Sequence, residues 1–123
     1  MSDRELLELA AKAAGIELAY WNDGQECYSS GEGFVLPSNA LWNPLRADGA
    51  CSRLEAVLGI GTDWWIAPEA GAAVWCGVVT PENTIFDAVC YFADHGGDRQ
   101  AARRRASTMV AAAMQKAKEA ACN

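Results

Sequence analysis

The sequence predicts an α+β domain, a small antiparallel sheet with about three helices packed against it. Three observations predict it. Apolar residues recur at helical spacing near both ends and in the middle of the chain. Three β-like runs follow one another between residues 62 and 92, separated by prolines. The helices flank these strands rather than alternate with them, which favours segregated over doubly wound architecture. With 123 residues the chain is expected to be one domain spanning 1–123.

Each element has a local cause. Ser2 and Glu5 form a capping box for a helix to Ala14, with Leu6, Leu9, Ala10 and Ala13 on its apolar stripe and Gly15 just past its end. Residues Ile16 to Trp21 alternate as a strand does, and Asn22-Asp23-Gly24 signals a hairpin returning through Gln25 to Ser29. Residues 31–45 read mostly as loop. Asp48 is placed to cap a second helix to Leu58, with Leu54, Val57 and Leu58 inward and Gly59 ending it. Thr62 to Ala67, Ala72 to Thr80 and Thr84 to Phe92 are the expected strands, with turns at Pro68 and Pro81-Glu82-Asn83. Asp98 caps a final helix to Ala120, whose face is expected to hold Ala102, Ala106, Met109, Val110, Ala113 and Ala117. Its alanines suit either packing on the sheet or a seam between two copies.

Composition excludes several classes. Half the chain is apolar, which excludes disorder, and no apolar run approaches the ~20 residues of a membrane span. A charged opening, Ser2-Asp3-Arg4-Glu5, leads to the expectation of a cytoplasmic protein without membrane contact. Five cysteines at wide, irregular spacings do not make a disulfide framework, and a single histidine, His95, leaves a mixed Cys/His zinc site short of ligands. Four of the cysteines read as buried small hydrophobes, and Cys122 as an exposed thiol on a frayed end. Neither Gly31-Glu32-Gly33 nor Gly59-Ile60-Gly61 completes a nucleotide-binding loop, and no Ser/His or Cys/His pair is indicated. No enzyme activity, cofactor or metal is therefore expected. The net charge is −6, and residues 1–98 hold fifteen acids against four bases while residues 99–123 hold six bases and one acid. An acidic total disfavours direct nucleic-acid binding. The basic tail either packs on the acidic body or meets an anion.

Three features point to binding. The tryptophans are Trp21, Trp42, Trp64, Trp65 and Trp75; adjacent Trp64 and Trp65 point to opposite faces of a strand. Arg103-Arg104-Arg105 opens the last helix, where the dipole prefers anions, so a bound phosphate or an acidic partner is one reading and salt bridges to the acidic body the other. On the expected face, Arg103 and Arg105 flank the core and Arg104 points away. In Leu41-Trp42-Asn43-Pro44-Leu45 the proline fixes a corner that pins an indole; Trp42 and Asn43 either stack on and hydrogen-bond a ligand or hold the loop together.

The opening Glu5 to Ile16, the Trp42-Asn43-Pro44-Leu45 corner with Asp48-Gly49, the Arg53 to Gly59 helix, and Asp98 with Ala101-Ala102-Arg103-Arg104-Arg105-Ala106 together resemble small phage and prophage proteins of the NinX-like group. The resemblance is loose over residues 60–95. It implies an accessory protein acting in the bacterial host cell, with no catalytic residues to carry over. Such proteins counter host defence by two routes that suit this chain. A homo-oligomer would sequester a nucleotide-derived immune signal, with Trp42, Asn43 and Trp65 on the base and Arg103 and Arg104 on phosphates. An anti-CRISPR-type inhibitor would instead bind a host defence protein through its acidic surface. A structural or regulatory phage protein without ligand is the third reading.

Overall fold

The computed structural model describes residues 1–24, 31–67 and 71–121, and the side chains of 65–67 lie outside that description. The chain is α+β, with three helices and two three-stranded antiparallel sheets. The elements are α1 (Asp3–Ala14), β1 (Tyr20–Asn22), β2 (Gly33–Val35), β3 (Leu41–Trp42), α2 (Asp48–Leu58), β4 (Gly61–Ala67), β5 (Gly71–Val79), β6 (Ile85–Tyr91), a 3-10 turn (Phe92–His95) and α3 (Arg99–Ala121). No helix among the described residues is long and apolar enough to cross a membrane.

The helix ends follow the sequence. Ser2 Oγ accepts from Glu5 N at 3.2 Å, and Gly15 at φ 71° closes α1 with bonds from its N–H and that of Ile16 back to the last turn. Asp98 Oδ1 accepts from Gln100 N and Ala101 N and so starts α3. At α2 the expectation fails: Ala47 is the N-cap without a side-chain bond, and Asp48 is already helical, its carboxylate turned to Arg104.

The large sheet runs β4-β5-β6, in register from Gly61↔Gly77 to Ala67↔Gly71 and from Ala73↔Tyr91 to Val79↔Ile85. Its second turn is built by Thr80 and Asn83, the latter at φ 67°. The Pro68 turn lies outside the described residues. The strand expected from Ile16 is shorter, because its partner β2 offers only Gly33 to Val35; pairing starts with Ala19 N to Val35 O. The expected return through 25–29 lies outside the described residues. Residues 31–45 are more than loop, since they contain β2 and β3, joined at Phe34↔Trp42.

Helix α3 lies across β5 and β6 and is covered on its other side by α1 and α2. Burial from two sides widens its apolar arc to Ala102, Ala106, Ser107, Thr108, Val110, Ala111 and Ala112. Met109 is exposed as a result, Ala113 is half-buried, and Ala117 lies exposed near the helix end. On α2 the buried face is Ala50, Cys51 and Leu54, with Leu58 half-buried, which turns Val57 to solvent.

Candidate functional site

Four of the residues proposed from sequence, Trp42, Asn43, Arg103 and Arg104, are packed or bonded within the fold. Trp42 is buried in the core with Phe34 and Leu54, and Pro44 is fully buried beside it. Asn43 Nδ2 donates to Glu32 O at 2.7 Å, and its Oδ1 accepts from Leu45 N at 3.0 Å. Gly33 is required opposite this corner, since a Cβ there would stand 3.0 Å from Trp42 O and Asn43 Cβ. Trp65 lies in β4 opposite Ala73, and its side chain is outside the described residues.

The three arginines form a clamp. Arg103 grips Glu55 of α2 through Nε at 3.1 Å and Nη2 at 2.6 Å, with side chains 14% and 13% exposed. Glu55 raises the Arg103 pKa further above its ordinary value. Arg104 does not point away: Nε donates to Leu45 O at 2.9 Å and Nη1 to Asp48 at 2.7 Å. Arg105 reaches Asp3 of α1 at 2.6 Å. Successive residues of a helix step by about 100°, so one triplet reaches three neighbours. Two of the features singled out in the sequence are therefore partners of each other, with Arg104 holding the corner that presents Trp42.

A polar chain runs beneath the clamp. Ser107 Oγ, itself buried, donates to Glu55 Oε2 at 2.6 Å and lies 3.3 Å from Cys76 Sγ. Carboxylate, hydroxyl and thiol in a row suggest a nucleophile, but burial raises the Cys76 thiol, as it does that of Cys90, and pushes the neighbouring Cys51 up to about 12. Protonated, buried thiols are inert. Cys27 and Cys122 lie outside the described residues. Among the described residues no cluster of three or more His, Cys, Asp or Glu is placed to hold a metal.

The open surface is elsewhere. In the large sheet Val74, Cys76, Val78, Phe86, Ala88 and Cys90 pack into the core, on α3. Trp64, opposite Val74, shares that side at the sheet edge and meets Phe92 at 5.9 Å between centroids. The other face carries Trp75, Val79, Ile85, Asp87, Val89 and Tyr91, with Asp63 opposite Trp75. Val79, Ile85, Val89 and Tyr91 are exposed, Ile85 by 63%. Ala73 and Gly77 form the floor. The six-membered ring of Trp75 occupies the space where a Gly77 Cβ would be, and its Nε1–H donates to Asp87 Oδ2 at 3.0 Å.

Sequence reasoning missed this face. Its signal was present: residues 54–98 contain seven acids and neither lysine nor arginine, and Trp75 alternates with the inward Val74 and Cys76. No protein-family model, curated protein or solved structure matches the chain.

Proposed function

We propose that this chain is a non-enzymatic binding protein that engages a basic protein surface through the outer face of β4-β5-β6. One observation carries the reading: large apolar side chains stand exposed together on a sheet face, within a stretch that has seven acids and no lysine or arginine. A contiguous apolar patch with a polar rim marks an interaction surface. Asp63 and Asp87 on that face give it one charge sign, which attracts a cationic partner and repels an anionic one. In the phage-accessory setting that the resemblance implies, the partner is a host defence protein.

Sequestering a nucleotide is less favoured by the geometry. Trp42 is buried, Asn43 is committed to Glu32 and Leu45, and Arg103 and Arg104 are paired with Glu55 and Asp48. Freeing them would dismantle the packing of α2 on α3.

Affinity capture from bacterial lysate tests the reading, with the intact chain and an Ile85→Lys chain as baits. The expected result is a protein held by the first, absent from the second, and released as salt rises past the point where the Debye length falls below ~8 Å. Identical capture by both baits would overturn it.

A further inference from the structure

We infer that the outward side of the Trp75 indole, flanked by Asp63 and Asp87, is the seat for an arginine side chain of the partner. This rests on the docking reading above and specifies its chemistry.

Two devices hold the ring in place. Gly77 beneath it has no side chain, and a Cβ there would collide with the ring atoms. The indole N–H is tied to Asp87 Oδ2 at 3.0 Å. The six-membered ring is thus fixed against the sheet floor, and the half-buried indole keeps part of its surface in solvent. Asp87 stands opposite Gly77 on β6, and Asp63 stands opposite Trp75 on β4. One carboxylate thus holds the indole N–H, and the other stands at the register position opposite Trp75, on the same face of the neighbouring strand. Both are exposed, and the four ion pairs among the described residues lie elsewhere.

An aromatic face attracts a cation through its quadrupole, and a planar guanidinium stacks there while its edge N–H groups reach carboxylates. The chain uses the same contact internally: Arg4 lies 5.6 Å over Trp21, and Arg99 lies 5.6 Å over Phe92. Trp75 has the ring and two carboxylates, and no arginine or lysine of residues 54–98 to fill the position. Val89 beside Trp75, and Ile85 farther along β6, supply an apolar border that strengthens such a contact by excluding water.

The test is a titration of the ¹⁵N-labelled full chain at low salt with a blocked Gly-Arg-Gly peptide, its citrulline counterpart and its lysine counterpart. The inference expects a saturable shift of the Trp75 indole N–H with arginine, a smaller one with lysine and none with citrulline. Asp63→Asn should weaken arginine binding by roughly threefold to tenfold. Gly77→Ala keeps both carboxylates but displaces the ring, and should weaken it as much. An unmoved indole, an equal shift with citrulline, or Asp63→Asn binding unchanged would overturn the seat. If the seat fails while Ile85→Lys still loses the captured protein, the docking reading stands; if Ile85→Lys loses nothing, the docking reading itself fails.

Discussion

The two faces of β4-β5-β6 are built from the same three strands and come out opposite. The inner face carries Val74, Cys76, Ala88 and Cys90 beneath α3, and the charges above it are matched, Arg103 to Glu55, Arg104 to Asp48 and Arg105 to Asp3. The outer face carries larger apolar groups, Trp75, Ile85, Val89 and Tyr91, and its carboxylates face water. An antiparallel sheet is normally covered on one face and polar on the other. Here the second face is apolar as well. Arg103, Arg104 and Arg105 of the basic end are consumed in holding the fold, while Asp63 and Asp87 on the outer face stay exposed.

That contrast predicts unequal responses to substitution. On the covered side, Glu55→Ala leaves Arg103 with its carboxylate removed in a largely buried site and should cost about 3–5 kcal/mol in chemical denaturation. Trp42→Ala empties the corner core and should cost about as much, ~3–5 kcal/mol, by the same measurement. Arg104→Ala orphans the Leu45 carbonyl and should cost about 1–3 kcal/mol. A loss below about 0.5 kcal/mol in all three would break the comparison, since that is the range of ordinary surface sites.

Alkaline pH probes the covered side from another direction. The Cys51 thiol is raised from 9.0 to about 12 in the folded chain, chiefly by burial. Unfolding therefore releases protons once pH passes the ordinary thiol value, so stability is full below about pH 9 and falls as pH rises toward about 12. Cys51→Ala should flatten that fall in pH-dependent denaturation; an unchanged slope would remove Cys51 as its cause. On the outer face, Val79→Ser and Ile85→Ser should each change stability by no more than ~0.5 kcal/mol.

The fold was legible where punctuation was local. Pro81 and Asn83 set the ends of β5 and β6 within a residue, and Ser2, Gly15 and Asp98 set helix ends. Short β2 and β3 were not legible, because two or three residues around Gly33 carry too little alternation to register. The arginine partners were hidden for a different reason. Arg105 and Asp3 are 102 residues apart, and only the packing of α1 on α3 brings them together. The same packing decides that the triplet is a clamp. For the outer face the alternation was present, but helical coverage of one side cannot be read from strands alone.

Val89 and Met109 give the most direct measurement, because they are equally exposed, at 40% and 39%, on different surfaces of the molecule. Partner capture by Val89→Lys and Met109→Lys chains, each checked for unchanged melting, separates the outer sheet face from exposure in general. Val89→Lys should lose the captured protein while Met109→Lys retains it. Loss by Met109→Lys with retention by Val89→Lys, or equal retention by both, would contradict docking through the outer sheet face.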